Sequence, residues 1–383
     1  MPGAPKSIPP FVIGHSQDVE SLCAGDATRL ELRCLDRDPA TELHRLSLKT
    51  GGLLPEEQNL LRASSGAHLV DQGPNLVLSI SPKALAALAE RSTLGRLLAQ
   101  CTRASLRPNS APWIMGIVNV TPDSFSDGGL WLDPAKAIQH GLQLVEEGAN
   151  LLDIGGESTR PGAQAVSEAD ELQRVVAVIE GLAARTKVPL SIDTTKTAVA
   201  RAALDAGASW VNDISGGLQE DGMLPLVAER GAVFVAMHRQ GNSATMQLDP
   251  AYGDCPQEVC EHLRERVGAC LAAGIAPDKL ILDPGIGFGK TLGHNLELMA
   301  RLRELRSLGA PILVGPSRKA FIQQLTEAAQ GSDSKLSERL GGTAAAVSLC
   351  IDRGAQGFRV HDVRMMVEAA KIAHAITCPT TTA

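Results

Sequence analysis

The feature that most constrains the fold is a repeat that begins at Trp113. From there onward, eight short apolar segments alternate with eight longer segments of helical periodicity. A buried parallel strand reads as a continuous apolar run, so each pair is typical of one strand–helix unit. We predict strands near 114–118, 151–154, 189–192, 210–212, 233–236, 280–282, 312–314 and 357–360, and helices near 134–147, 168–184, 196–206, 223–229, 257–273, 295–307, 336–353 and 363–376.

Eight such units in roughly 270 residues predict an α/β protein built on a (β/α)8 TIM barrel. A doubly wound open sheet is the alternative, although it rarely runs to eight units. The preceding part of the chain has strands predicted near 29–35 and 75–80 and helices near 54–63 and 82–98. We therefore expect two domains. Residues 1–110 form a small α/β N-terminal domain with a role in packing or assembly, and residues 111–383 form the barrel.

Composition and charge narrow the functional class. The net charge of −7, without a basic stripe, argues against nucleic-acid binding. No apolar run approaches the roughly 20 residues of a membrane span, and the N-terminus lacks the pattern of a signal peptide. The eight cysteines contain no CxxC pair, which is typical of thiols in a reducing compartment. We expect a cytoplasmic protein that acts on small molecules.

Every predicted barrel strand ends in polar or charged residues. The C-terminal ends of all barrel strands face one mouth, so these side chains are predicted to converge on one pocket. Turn chemistry explains one polar strand end, but not eight of eight. The strand ends carry Asn119, Asp153, Asp193, Asn212-Asp213, Met237-His238, Asp283, Ser317-Arg318-Lys319, and Arg359 with His361.

One subset of these residues offers hydrogen-bond acceptors. Asp193, Asn212 and Asp283 rise from deep strand ends, and buried acceptors of this kind require partners. A flat ligand with several N–H donors, such as an amino-oxo heterocycle, fits them.

A second subset is cationic and hydroxyl-bearing. It follows strands seven and eight, the usual position of a phosphate in a barrel. Asn119 lies at a neighbouring strand end, and its neutral oxygen suits a Mg²⁺ that keeps most of its waters and bridges phosphate oxygens. The members of this subset are Ser317, Arg318, Lys319, Arg359 and His361.

Five other polar residues have simpler explanations. Lys196 and Lys290 stand at predicted helix starts and are expected to be solvated. Asp213 is expected to be structural. For Asp153 a hydrogen bond within the barrel is as good an interpretation as a place in the site, and His238 is equally well explained as a core histidine. No spacing suggests a zinc site, a phosphate-binding P-loop or a nucleophile elbow.

Eight segments together resemble the dihydropteroate synthase family, in the family's order and across nearly all of residues 113–377. The resemblance implies a folate-biosynthesis transferase of an alkyl group, the target of sulfonamides. It would join 6-hydroxymethyl-7,8-dihydropterin diphosphate to 4-aminobenzoate, giving 7,8-dihydropteroate and diphosphate. The segments are MGIVNVTPDSFSDGG (115–129), DIGGESTRPGA (153–163), SIDTTK (191–196), NDISGG (212–217), MH (237–238), DPGIGFGK (283–290), SRK (317–319) and RVHD (359–362).

The resemblance also implies roles for individual residues. Those implied to hold the pterin are Asp193, Asn212, Ile214, Met237, Asp283, Phe288, Lys319 and Arg359. Those implied on the 4-aminobenzoate side are Phe125, Thr159, Arg160, Pro161 and Ser317. Those implied at the diphosphate are Asn119, Thr159, Arg359 and His361, with Asn119 as the Mg²⁺ ligand. The implied catalytic residues are Asp193, Lys319, Arg359 and His361, and the implied assembly is a homodimer.

Two departures and two alternatives accompany the resemblance. Pro316 stands where the family more often has alanine, and we expect it to tilt the end of strand seven. Residues 1–110 lie outside the usual family core and are similar to an N-terminal extension of some bacterial members. One alternative is a methyltetrahydrofolate-dependent methyltransferase, which has no diphosphate to bind. The other is a non-catalytic pterin-binding paralogue.

Overall fold

The chain divides into two compact units. The first contains the described residues between 32 and 91 together with 301–310, and the second contains those of 111–300 and those from 311 onward. The predicted boundary near residue 110 lies outside the described residues, so the predicted domain limits stay a prediction. The computed structural model describes residues 32–37, 44–49, 55–72, 75–91, 111–121, 134–158, 166–241, 245–330 and 339–377.

The N-terminal unit contains a four-stranded antiparallel sheet. Its strands pair in the order β1-β2-β4-β3, and Leu78 and Ile80 of β4 are fully buried. The sequence predicted β1 and β4 with both helices, whereas β2 and β3 were missed. The strands are β1 (Leu32–Arg37), β2 (His44–Lys49), β3 (Ala67–Gln72) and β4 (Asn75–Ile80), and the helices are α1 (Pro55–Ala63) and α2 (Pro82–Arg91).

The second unit is built on eight parallel strands. They are β5 (Trp113–Asn119), β6 (Leu151–Gly155), β7 (Leu190–Asp193), β8 (Trp210–Asp213), β9 (Val233–Met237), β10 (Leu280–Asp283), β11 (Leu313–Val314) and β12 (Gly357–Val360). Their order is β10-β9-β8-β7-β6-β5-β12-β11, and a parallel bridge from Leu282 to Ile312 joins the two outer strands. The prediction of a (β/α)8 barrel is confirmed. Nearly every strand residue is buried, because helices cover the outside and side chains fill the inside.

Helices follow the strands and are bounded by local signals. Ser167 caps α4 by accepting the N–H of Asp170, and Asp254 caps α7 by accepting the N–H of Gln257. Gly231 ends α6 in the left-handed conformation with a φ of 59°. The helices are α3 (Pro134–Glu146), α4 (Glu168–Ala183), α5 (Thr197–Asp205), α6 (Met223–Arg230), α7 (Cys255–Ala272), α8 (Leu292–Ala300), α9 (Ala320–Gln330), α10 (Leu340–Asp352) and α11 (Val363–Thr377).

The observed helices differ from the prediction in two places. The segment predicted at 295–307 is α8 followed by a 3-10 helix, Leu302–Leu308. Helix α9 was not predicted, because its apolar stripe is short and begins directly after Lys319. Among the described helices, none has the length and apolar character that crossing a membrane requires.

Candidate active site

Strand register places four residues in one row at the mouth of the barrel. Asn119 pairs with Gly155, Gly155 with Asp193, and Asp193 with Asn212, across β5 to β8. A side chain on Gly155 would lie 3.6 Å from Asp193 Oδ2 and 3.9 Å from Asn119 Oδ1. The glycine therefore leaves an open position between two predicted site residues.

Arg359 connects the far side of the barrel to this row. From β12, its Nε donates to Asp153 Oδ2 and its Nη2 donates to Asp193 Oδ2, each at 2.6 Å. Asn212 Nδ2 donates to the same Asp153 oxygen at 3.0 Å. Asp153 is fully buried, so it belongs to the charge network beneath the mouth rather than to a turn. The Arg359 guanidinium thus bonds directly to side chains of β6 and β7 and is connected through Asp153 to β8.

Burial governs the protonation of this network. Burial raises the pKa of Asp193, against the opposing pull of Arg359. Burial alone would lower the pKa of Arg359, but the carboxylates of Asp153 and Asp193 outweigh it and raise that pKa. Arg359 is therefore always a cation, and its charge partly offsets the burial that favours the neutral form of Asp193.

Asp283 and Lys319 form the opposite side of the mouth. Asp283 ends β10, pairs in register with Met237, and accepts the backbone N–H of Gly285 through Oδ1 at 2.7 Å. Burial raises the pKa of Asp283 to about 6, although the Gly285 N–H and Lys319 lower it. The Lys319 Nζ lies 4.0 Å from the centroid of the Phe288 ring, a favourable cation–π distance. A carboxylate, a cation and an aromatic face thus meet here.

Ile214, Ser317 and His361 complete the described part of the predicted site. Ile214 is buried and directly follows Asp213, the last residue of β8. The Ser317 hydroxyl lies 3.0 Å from His361 Nδ1, and it also accepts the backbone N–H of His361 at 3.2 Å. These contacts join the loop after β11 to the end of β12, where the sequence predicts the anion.

Arg318 has an unusual backbone conformation between two predicted site residues. Its φ is +58°, which costs a non-glycine residue free energy and persists only where the surroundings impose it. Its guanidinium makes two hydrogen bonds to Asp362, at 2.9 and 2.6 Å. Thr343 accepts its N–H, and Arg339 donates to its carbonyl oxygen. These bonds hold Ser317 and Lys319 on the two sides of a strained residue, with Pro316 preceding them.

Two lysines expected to be solvated are not, and those expectations are wrong. Lys290 is only 3% exposed. Lys196 Nζ contacts Glu157 Oε2 at 2.5 Å and also the fully buried Glu171, so one ammonium bridges the end of β6 and helix α4. A signal existed in each case, because both lysines stand a few residues after a strand end. The general preference of lysine for the protein surface, however, favoured the solvated interpretation.

Some predicted site residues fall outside the described part of the chain. They belong to the loops after β5 and β6, whose described residues stop at 121 and 158. Their predicted roles therefore stay predictions. These residues are Phe125, Thr159, Arg160 and Pro161.

One side chain at the mouth, Asn119, offers a donor that suits Mg²⁺. In the part of the chain that the structure describes, no group of three or more histidine, cysteine or acidic side chains is arranged to hold a metal ion. Asn119 offers one neutral amide oxygen beside the Asp193 row. Mg²⁺ keeps several waters and is commonly held by one or two protein oxygens together with substrate phosphates. Asn119 is suited to that role.

Comparison with known proteins agrees with this geometry. Residues 115–361 match the model of the pterin binding enzyme family. This chain is 46% identical over 280 residues to the dihydropteroate synthase of Escherichia coli K12, a match that covers 73% of this chain and 96% of the relative. The chain is thus a pterin-binding barrel enzyme.

Two solved structures show which family of pterin-binding enzymes the chain resembles. Dihydropteroate synthase of Xanthomonas albilineans with 4-aminobenzoic acid is 46% identical with a TM-score of 0.66, and the match covers 71% of this chain and 95% of that one. The same enzyme in complex with 7,8-dihydropteroate gives 43% identity and a TM-score of 0.63, over 71% and 96% of the two chains. This chain belongs to the dihydropteroate synthase family.

Proposed function

We propose that this chain joins 6-hydroxymethyl-7,8-dihydropterin diphosphate to 4-aminobenzoate, giving 7,8-dihydropteroate and diphosphate. One observation carries the proposal: buried acceptors and fixed cations share a single barrel mouth. The solved relatives bound 4-aminobenzoic acid and 7,8-dihydropteroate, the second substrate and the product of this reaction.

The acceptor side of the mouth would hold the pterin ring. The N–H donors of the ring would bond to Asp193, Asn212 and Asp283, because each of the two carboxyl groups bonds to the protein through one oxygen and has a second oxygen to offer. Lys319 above the Phe288 ring closes the slot from the other side. As the C–O bond to the diphosphate breaks, positive charge develops on the ring methylene, and the two carboxylates stabilise it.

The cationic side would hold the leaving group. The electron pair of the C–O bond departs with the diphosphate, and Arg359 and His361 stabilise that charge. The amine nitrogen of 4-aminobenzoate forms the new C–N bond and then loses a proton. An arylamine is neutral near pH 7, so the reaction requires no covalent nucleophile on the protein. The loops after β5 and β6 would orient the amine.

Asn119 would be the protein ligand of a Mg²⁺ bound together with the diphosphate. Such an ion supplies charge neutralisation to a phosphate leaving group. We expect a chelator to abolish turnover and added Mg²⁺ to restore it. Full activity in chelator would remove Asn119 from the metal role.

We further propose that the enzyme is a cytoplasmic homodimer whose subunits meet through helices α10 and α11. The support is a set of exposed apolar side chains on these two helices. Analytical ultracentrifugation of the wild type and of Ile372→Glu tests it, with a shift from dimer to monomer expected. The exposed side chains are Leu349, Met365, Ile372 and Ile376.

The experiment that tests the proposed reaction is a measurement of diphosphate release on mixing both substrates. We expect release only when the pterin diphosphate and 4-aminobenzoate are both present, with one product formed for each diphosphate. A methyltransferase would bind a pterin and release no diphosphate, and a non-catalytic paralogue would bind without turnover. Either outcome would overturn the proposal.

A further inference from the structure

The segment between β10 and α8, residues 284–291, is held by side chains rather than by regular secondary structure. Gly285, Gly287 and Gly289 have φ values of 68°, 80° and 57°, a conformation that other residues rarely adopt. A side chain on Gly285 would lie 1.9 Å from the backbone oxygen of His238. The alternating turns direct the carbonyl oxygens of Gly285 and Phe288 toward one point.

The side-chain nitrogen of Lys290 occupies that point. Its Nζ donates to Gly285 O at 3.1 Å and to Phe288 O at 3.0 Å, and it lies 2.9 Å from His238 Nδ1. Burial lowers the pKa of His238 to about 2, so its imidazole is neutral and can accept this bond. Three acceptors, two carbonyl oxygens and one imidazole nitrogen, thus surround the Lys290 amino group, whose pKa burial lowers to about 7.

Other backbone atoms of the segment bond to side chains of helix α8 and of the loop after β9. Gln247 donates to Gly287 O at 2.9 Å, and Asn295 accepts the N–H of Gly287 at 2.7 Å. Tyr252 donates to Gly289 O at 2.8 Å. Among the side-chain hydrogen bonds of this segment named here, the one to Phe288, the residue that presents the aromatic ring, comes from Lys290.

We propose that Lys290 is a positioning residue for the pterin diphosphate: it fixes the backbone of Phe288 and, through the Phe288 ring, the ammonium of Lys319. This inference rests on the proposed function. Without the Lys290 amino group, the Phe288 carbonyl oxygen and the His238 imidazole nitrogen lose this donor, while Gly285 O retains the backbone N–H of Phe288. The segment must then rearrange to replace the lost bonds. Phe288 and Lys319 would then leave the geometry that the ring slot requires.

The decisive variant is Lys290→Met, which keeps the length of the side chain and removes its donors. In full-length enzyme we expect the KM for the pterin diphosphate to rise at least tenfold. The KM for 4-aminobenzoate, measured at saturating pterin diphosphate, should stay within twofold. Lys187→Met, at an exposed lysine, is the matched control and should change neither. A loss of folded protein alone would lower both apparent rates without this split.

A double-mutant cycle tests whether Lys290 acts through Phe288. If it does, Lys290→Met should raise the KM for the pterin diphosphate much less in a Phe288→Leu background than in the wild type. Additive effects would overturn the proposed route through the ring.

Two further results keep the inference falsifiable. If Lys290→Met does not fold, His238→Phe decides, because it removes one acceptor while keeping a ring, and we expect a several-fold rise in the same KM. An unchanged KM in either folded variant overturns the inference. Absence of diphosphate release by the wild type would instead refute the proposed function, so the two failures are distinguishable.

Discussion

The two ends of the same barrel are built on different principles. At the N-terminal end, the rings of Trp113 and Trp210 meet edge to face at 5.6 Å across the interior, since β5 and β8 are not neighbours in the sheet. Gly357 lies beside them, where a side chain would overlap the Trp113 ring at 2.2 Å. At the C-terminal end the interior holds Asp193 and Arg359 instead. One end is aromatic, and the other is charged.

This difference between the two ends separates the residues that stabilise the barrel from those that bind its ligand. Buried aromatic packing lowers the free energy of the folded state whether or not a ligand is bound. Buried charges cost free energy on desolvation and recover it only through partners. The stability of the fold therefore depends on the aromatic end, while ligand binding depends on the charged end, as in other barrels of this type.

The largest effect is expected at the aromatic end. Trp210→Ala should lower the free energy of unfolding by about 3–5 kcal/mol, because it removes a buried ring and leaves a cavity. The KM values of the remaining folded enzyme should be unchanged. Denaturant titration with kinetics on the same samples measures both, and Trp210→Phe, which keeps a ring, should lose much less. A changed KM with full stability would erase the distinction between the two ends.

At the charged end, the opposite pattern is expected. Asp193→Asn should weaken pterin binding by about 2–3 kcal/mol, or roughly 30- to 150-fold, because an amide replaces a charged acceptor. The variant should still fold, with a smaller loss of stability than Trp210→Ala, because the buried Arg359 loses one of its two carboxyl partners and keeps Asp153. Calorimetric titration measures the affinity, with the surface variant Asp205→Asn as control. Unchanged pterin affinity would show that the acceptor role is wrong.

A smaller effect is expected from the contact that holds the strained residue. Asp362→Asn weakens a partly exposed pair with Arg318, and we expect kcat/KM to fall five- to tenfold, about 1 kcal/mol. Arg318→Gly and Arg318→Ala both remove the ion pair, but glycine tolerates the positive φ. The glycine variant should therefore retain more activity than the alanine variant. Equal losses would show that the backbone conformation is not under strain.

The smallest effect is a pH dependence of binding. Burial raises the pKa of Asp283 to about 6, so this carboxyl takes up a proton between about pH 7 and pH 5 and loses acceptor capacity. Pterin affinity should fall up to tenfold over that interval, and Asp283→Asn should flatten the profile. The sign for stability is reversed: since the folded pKa exceeds the unfolded one, the contribution of this group is largest at low pH and is lost as the pH rises through about 6. A flat affinity profile in the wild type would contradict the carboxylate role.

The sequence predicted which residues lie at the charged end better than it predicted the contacts that hold them in place. All eight barrel strands lie within one or two residues of their predicted limits. An apolar run with a polar end can be recognised in the sequence without any information on tertiary contacts. The ion pairs of Arg359 with Asp153 and Asp193 join positions 206 and 166 residues apart, which periodicity cannot register. Lys290 appeared as a helix-start charge because its burial depends on how three glycines turn the chain around it. The positive φ of Arg318 could not be predicted, because a glycine usually marks such a conformation in a sequence and this residue is an arginine.

Hydrogen exchange with and without the pterin diphosphate tests most directly whether one mouth collects these strand ends. Amides in the segments after β8, β10 and β11, namely 213–217, 285–289 and 317–319, should gain protection together at one ligand concentration. The amides at the aromatic end, around Trp113 and Trp210, should be unchanged. Protection confined to one of the three segments, or appearing at the aromatic end, would contradict a single pocket at the charged end of the barrel.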